Sequence, residues 1–230
     1  TYCPENYNDV FKYVMQNSRP HIAGVILVKI NKLDTLFKLP YLYFAGCKNI
    51  ASSLSRNLGD TVLGRKKKFL EKSGIPFISV KSINDGNSIL WLQAMKPDLV
   101  LNMRARCIYK DSILKIPRLG CINVHHGILP FQKGLFCDLY AIADDKETGF
   151  TIHKMARQID RGEILYQETI RNNKNYLDYL KEIVSKEKMA IVKFIEKVAQ
   201  ANSLPKSLPI TDINNHAIFT KTPDLKMIKQ

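Results

Sequence analysis

The chain reads as an α/β protein, a mostly parallel sheet with helices on both faces. Three observations lead there. Between Pro76 and Val124 short apolar runs alternate with helical spacings. The run His21–Lys29, HIAGVILVK, is rich in β-branched residues, as a strand buried on both faces requires. From Tyr176 to Ala199 the apolar positions Ile183, Met189, Val192, Ile195 and Val198 recur at helical spacing, which makes one long amphipathic helix.

Taken in order, Val10, Phe11, Val14 and Met15 make Tyr7–Met15 a helix that Pro20 ends. His21–Lys29 is the first strand. Ile30–Asp60 is less regular, with short helices expected at Leu33–Phe37 and Asn49–Asn57. Leu63–Ser73 is an amphipathic helix with Gly74 as its C-cap. The regular alternation follows: strand Pro76–Val80, helix Ser88–Met95, strand Asp98–Asn102, short helix Asp111–Lys115, strand Gly120–Val124. Such units cross over right-handedly, and chemistry collects beyond the carboxyl ends of their strands. Asn102–Ile108 and Asn123–Gly134 both follow strand ends, so they are expected to share a crevice. Asp138–Ala143 is a helix, then strands Thr148–Met155 and Glu163–Ile170 flank a turn carrying Asp160. Ser203–Gln230, with Pro205 and Pro209, reads as a loop plus a small terminal element.

Bulk properties bound the function. With 230 residues and 45% hydrophobic content the chain can build a proper core, and no apolar run is long enough to span a bilayer. Thr1-Tyr2-Cys3-Pro4-Glu5 shows no basic region followed by an apolar one, so no signal peptide is expected, and the missing initiator Met suggests a first strand upstream. Cys3, Cys47, Cys107, Cys121 and Cys137 are odd in number and form no Cys-x-x-Cys pair, which argues against a disulfide framework and for a reducing, cytoplasmic setting. A net charge of +14 reads equally as a Lys-rich solvated surface or as a surface for phosphate or nucleic acid.

The chemistry concentrates between Cys121 and Gly162. Residues two apart on a strand share a face, so Asn123 and His125 point together, and Asp160 follows on a turn between neighbouring strands. An amide, an imidazole and a carboxylate at strand ends form a plausible acid–base site. Singly, each has a plainer reading as a strand-end amide, a core histidine and a turn residue. A zinc site built from Cys121, His125, His126, His153 and Asp160 is a second reading, but adjacent histidines on a strand splay apart and no ligand spacing repeats, so no metal is expected.

The ordered set Ile122-Asn123-Val124-His125, Ile128-Leu129-Pro130, Lys133-Gly134, Thr148-Gly149-Phe150-Thr151-Ile152-His153 and Ile159-Asp160-Arg161-Gly162 resembles the folate-dependent formyltransferases, over roughly Ile75 to Gln167. The resemblance implies a Rossmann-like formyltransferase fold over residues 1–172, with residues 173–230 as a small C-terminal helical appendage. It implies N10-formyltetrahydrofolate as cosubstrate, no metal, and Asn123, His125 and Asp160 as the catalytic residues. By resemblance, Asn123 and His125 hold the formyl oxygen, and Asp160 orients a protonated His125 or acts as base through a water. The pterin is expected against the loop Arg104-Ala105-Arg106-Cys107-Ile108, opposed by Ala156–Ile159 with Gln158. Gln132, Lys133 and Gly134 are expected to meet the acceptor. His126 departs from the family pattern and is expected to face away from the chemistry, while His153 reads as a supporting residue. The absence of a Gly-rich phosphate loop and the short tail point to a nucleotide-linked amino sugar as acceptor rather than glycinamide ribonucleotide or methionyl-tRNA. A non-catalytic folate- or nucleotide-binding protein of the same fold, and an RNA-directed enzyme exploiting the charge, remain as alternatives. The long helix buries its stripe either on its own domain or in a homodimer.

Overall fold

The computed structural model describes residues 7–29, 63–105, 107–170, 176–209 and 218–221, with Pro40, Tyr43, Ser55 and Gly59 as isolated positions. The chain opens with helix α1 (Tyr7–Asn17), a short 3-10 turn at Arg19–His21 and strand β1 (Val25–Val28). The expected helix Leu33–Phe37 lies outside the described residues, as does Asn49–Asn57 apart from Ser55. Helix α2 (Arg65–Lys72) ends where Gly74 takes φ +62°, the left-handed conformation that glycine adopts without a Cβ clash. Strand β2 (Phe77–Val80) and helix α3 (Gly86–Met95) follow; the Asp85 carboxylate accepts from the Asn87 N–H and so caps α3. Then come β3 (Val100–Asn102), α4 (Asp111–Leu114), β4 (Cys121–His125), β5 (Gln132–Gly134), α5 (Cys137–Ala143), β6 (Thr148–Lys154), β7 (Ile164–Ile170), α6 (Tyr176–Ala201) and β8 (Ile218–Thr220).

Strands β1 and β2 pair in parallel, and a four-stranded sheet runs β3-β4-β6-β7. Its β3–β4 pair is parallel, while β6 and β7 run antiparallel to their neighbours. The short β6–β7 connection requires the antiparallel pairing of these two strands, because a parallel pair needs a long crossover. Its turn is what carries Asp160. Strands β5 and β8 form a separate parallel pair, with Lys133 opposite Phe219 and Gly134 opposite Thr220. The tail's small terminal element is therefore a strand laid beside the loop that leaves β4, a return that no local sequence pattern announces.

The larger core cluster joins Val10 and Val14 of α1, Ile122 and Val124 of β4, Phe150 and Ile152 of β6, and Ile183, Ile191 and Val198 of α6. Of the two expectations for the long helix, the apolar stripe is buried on the chain's own sheet and on α1, with Met189 left 44% exposed. A smaller cluster of Ile83, Leu92, Tyr109, Ile113 and Cys121 fills the space under α3 and α4. Among the described residues no helix is long and apolar enough to cross a membrane.

Candidate active site

Register brings the polar groups together. Asn102 of β3 lies opposite Asn123 of β4, which lies opposite His153 of β6. Side chains at paired positions stand side by side on one face. Asn102 Nδ2 donates to Asn123 Oδ1 at 3.0 Å, and Asn102 Oδ1 accepts from the Ala105 N–H at 2.8 Å. With its oxygen so engaged, Asn123 turns Nδ2 toward His153 Nε2, 3.3 Å away. The His153 Nδ1–H donates to the Lys154 carbonyl at 3.1 Å, so Nε2 is the acceptor and the ring is neutral in this network. One Asn123 amide hydrogen is thereby committed, and the second is left for a ligand.

His125, two residues along β4, is buried and gives its Nε2–H to the Gln132 carbonyl at 2.7 Å. Its Nδ1 then carries the lone pair and faces Asp160 Oδ2 at 3.8 Å. The Asp160 backbone sits at φ +52°, a left-handed conformation that Asp tolerates at a turn. Asp160 Oδ2 accepts from the Gly134 N–H at 3.0 Å, and Oδ1 lies 3.6 Å from His153 Nε2. The carboxylate is thus held between two imidazoles, beyond direct hydrogen-bond reach of either. A donor placed between Nδ1 and Oδ2 can meet both at roughly 2.6–3.2 Å.

Burial is the strongest influence on His125 and pushes it below the usual imidazole range; Asp160 and the Gln132 bond pull upward without cancelling it. The expected protonated His125 is therefore replaced by a neutral one, because desolvation outweighs a carboxylate that makes no direct bond. His153 is lowered to about 4, by burial first and by His125 second, against Asp160. Cys137 Sγ stands 3.6 Å from His125 Nε2, but burial pushes its thiol up to about 12, so it supplies no thiolate nucleophile.

A stability consequence follows. Folded His153 resists protonation relative to its ordinary 6.5, so the unfolded chain binds more protons between there and about 4. Stability is expected to fall as pH drops through that window, by on the order of 3 kcal/mol from this group. Urea unfolding of wild type and His153→Asn at a series of pH values checks it: the variant is expected to lose the part of the slope due to this ring.

The loop that follows β4 is pinned from below. Thr151 Oγ1 donates to the Gly127 carbonyl at 2.7 Å and accepts from the Leu129 N–H, while Gln167 Nε2 donates to the Leu129 carbonyl. A Cβ on Gly127 would meet His125 Nε2 at 2.6 Å, so a side chain there would strike the imidazole. Gln132 braces the same loop: its Oε1 accepts from the Ile128 N–H, and its Nε2 donates to the Glu147 carbonyl. Of the three residues expected to meet an acceptor, Gln132 is thus committed to the loop, Gly134 gives its N–H to Asp160, and Lys133 lies opposite Phe219; all three are half-buried.

The two loops expected to hold the pterin flank the smaller core cluster, onto which Cys107 and Met155 both pack. Arg104 adopts φ +62° and turns its side chain inward, 3.6 Å from Glu187. The Ala105 carbonyl accepts from the Cys107 N–H. Ile108 is 63% and Ile159 48% exposed, and Ala156 and Gln158 are also exposed. Arg106 lies outside the described residues.

His126 does face away from Asp160, but into a buried network rather than into apolar packing. Its Nε2 lies 2.7 Å from Glu187 Oε2 and its Nδ1 3.3 Å from Asp138 Oδ2. Asn102, Thr220 and Glu187 were not singled out by sequence reasoning. The position of Asn102 at the end of β3 was the one available signal; Glu187 and Thr220 arrive from far along the chain. Among the described residues no cluster of three His, Cys, Asp or Glu is arranged to hold a metal. Hollows between α1 and α2, and beside Pro97 and Arg118, lie away from these groups.

The chain has relatives among known proteins. A methionyl-tRNA formyltransferase of Thermotoga maritima is 30% identical over 139 residues, 59% of this chain and 44% of that enzyme, so the chain spans less than half the length of the relative. The crystal structure of phosphoribosylglycinamide formyltransferase from Bacillus halodurans superposes with a TM-score of 0.58 at 14% identity, covering 86% of this chain and 94% of that one. A 4-N formyltransferase from Francisella tularensis gives 0.55 at 23% identity, covering 87% and 76%. These two share the fold. The family model described as formyl transferase matches residues 60–195, more than half of the chain and the whole stretch that carries Asn123, His125 and Asp160. The chain belongs to the formyl transferase family.

Proposed function

We propose that the chain moves a formyl group from N10-formyltetrahydrofolate to an amino group, and that the amine belongs to a nucleotide-linked amino sugar. The observation that carries the chemistry is that the Asn123 amide, the His125 Nδ1 lone pair and the Asp160 carboxylate lie side by side, linked through His153, where β4 meets β6 and the turn that follows it. The folate supplies an activated one-carbon unit when bound. Everything else is done by the chain. Asn123 Nδ2 donates to the formyl oxygen, where negative charge grows as the amine attacks; one such donor contributes roughly 10²–10³ in rate. The neutral His125 Nδ1, with Asp160 Oδ2 beside it, takes the proton that the amine nitrogen loses. The same proton passes to the departing folate nitrogen, so the amine gains a formyl group and the folate an N–H. Relay of this kind is worth roughly 10²–10⁴. The high thiol pKa at Cys137 supports direct attack without a covalent intermediate.

The exposed Ile108 and Ile159 suit the apolar walls of a site for a flat heterocycle, with the turn at Arg104 and Ala105 beside them. Ala156 and Gln158 border the opposite wall. At the acceptor side Lys133 stands across from Phe219, which is 57% exposed, offering a cation and a flat ring for a phosphate and a base. The free thiols Cys107, Cys121 and Cys137 fit a reducing cytoplasm. The net charge of +14 and the kinship with methionyl-tRNA formyltransferases favour RNA as the second reading.

The test is transfer of a ¹³C-formyl label from N10-formyltetrahydrofolate, followed by mass spectrometry, to an amino-sugar nucleotide, methionyl-tRNA and glycinamide ribonucleotide in parallel. The label is expected on the sugar amine. Label on methionyl-tRNA or glycinamide ribonucleotide instead would reassign the acceptor. Folate binding with label on none of them would mark a binding protein.

A further inference from the structure

We propose that Glu187, on α6, is a positioning residue that sets the geometry of the active site from beneath, a role that rests on the formyl-transfer reading above. Glu187 is fully buried, on a helix otherwise docked through apolar side chains, and an ionised group in such a place is costly unless paired. Its partners are not scattered. Oε2 lies 2.7 Å from Nε2 of His126, the residue directly after His125, and 3.6 Å from the Arg104 guanidinium, in the loop that presents Ala105. His126 in turn reaches Asp138 Oδ2 at 3.3 Å, at the start of α5 and next to Cys137. Tyr176, one more α6 residue, donates from its hydroxyl to Asp138 Oδ1 at 3.3 Å, as does the Leu139 N–H at 2.9 Å. Burial opposes ionisation of Asp138, yet the bond and charge of His126, then Arg104, outweigh it and hold the carboxyl below its usual range.

Four segments therefore meet on one buried group of charges: the end of β4, the loop after β3, the start of α5, and α6. Two of them carry the groups that act on the formyl unit and the backbone expected against the pterin. Arg104 holds a left-handed backbone conformation, uncommon for a residue with a side chain, in a turn that Asn102 closes through the Ala105 N–H, and its inward-turned guanidinium stands beside Glu187. Glu187 thus links the position of this loop to the strand end that carries His125. A carboxylate used only to seat α6 would not need to contact the two segments that flank the reacting groups.

The variant to make is Glu187→Gln, which keeps the shape and one acceptor oxygen for His126 while removing the charge; Arg104→Gln tests the same link from a less buried side, and the double variant tests coupling. Three readouts are needed: affinity for 5-formyltetrahydrofolate by calorimetry, KM against kcat for N10-formyltetrahydrofolate, and hydrogen exchange of the Ala105 amide. Each single variant is expected to weaken folate binding about tenfold, to raise KM more than it lowers kcat, and to speed Ala105 exchange, with the double variant no worse than the poorer single one. A folded Glu187→Gln protein with folate affinity, KM and Ala105 exchange within about twofold of wild type would overturn the proposal. If Glu187→Gln does not fold, the same outcome in Arg104→Gln overturns it. Wild-type protein that binds no folate would sink the formyl-transfer reading and this one with it, whereas normal wild-type binding with unaffected variants sinks this one alone.

Discussion

Replacing His125 with Ala should lower kcat/KM for formyl transfer by about 10³-fold, the size expected when the group that relays a proton in the transition state is lost. The loss should fall mainly on kcat, because His125 spends its Nε2–H on the Gln132 carbonyl and offers the cosubstrate no ground-state contact beyond Nδ1. Some stability goes too. The Gln132 carbonyl loses its donor, at a cost of about 1–3 kcal/mol, so unfolding is measured alongside turnover. Asp160→Asn separates the two effects. It keeps an oxygen for the Gly134 N–H but removes the charge that pulls the His125 pKa upward, so the acid limb of the rate profile should move to lower pH while turnover falls. In wild type that limb should already lie below the ordinary 6.5 of an imidazole, because the base must be neutral and burial keeps it so. The three side chains act as a unit, so combining Asn123→Ala with His125→Ala should cost far less than the product of the separate losses.

The second large effect is structural. A Cβ on Gly162 would lie 1.6 Å from the Lys154 carbonyl oxygen, a distance that no rotamer relieves because both atoms are bound to the backbone. Lys154 N–H donates to the Glu163 carbonyl at 2.8 Å and closes the β6–β7 turn at this point. Gly162→Ala therefore has to push the strands apart at the turn that aims Asp160. A loss of about 3 kcal/mol or more is expected, roughly 6–12 °C in Tm for a chain of this size, together with most of the activity. Thermal unfolding with a parallel turnover assay measures both; an unchanged Tm would mean that the turn has another arrangement in solution.

Much of this was legible because the sequence states it locally. The alternation from Pro76 to Val124 specifies strands and helices one at a time, and β3, α4 and β4 fall within a residue or two of the expected bounds. Asn123 and His125 are two apart on one strand, so their common face follows from the pleat alone. What no local pattern could state is register between distant strands. The alignment Asn102–Asn123–His153 is a property of three strands brought together, and it fixes which way the Asn123 amide points. The same holds for the tail strand at Ile218–Thr220, which lies too far along the chain to be linked to Gln132–Gly134 by periodicity. Burial was equally hidden. A carboxylate near an imidazole suggests a protonated ring, and only the packing around His125 shows that desolvation reverses that sign. The helix at Tyr176–Ala201 was evident from its apolar stripe, while Glu187, spaced four residues from both Ile183 and Ile191 and so on that same buried face, was not singled out.

The most direct measurement is a structure of the protein with tetrahydrofolate and an amino-sugar nucleotide bound. The pterin should lie between the Arg104-Ala105 loop and Ala156–Ile159. The N10 atom and the acceptor amine should approach each other within hydrogen-bond reach, roughly 2.6–3.2 Å, of His125 Nδ1 or Asp160 Oδ2. Folate seated elsewhere, or an amine held beyond the reach of His125, Asp160 and Asn123 together, would contradict the assignment of these three residues to formyl transfer.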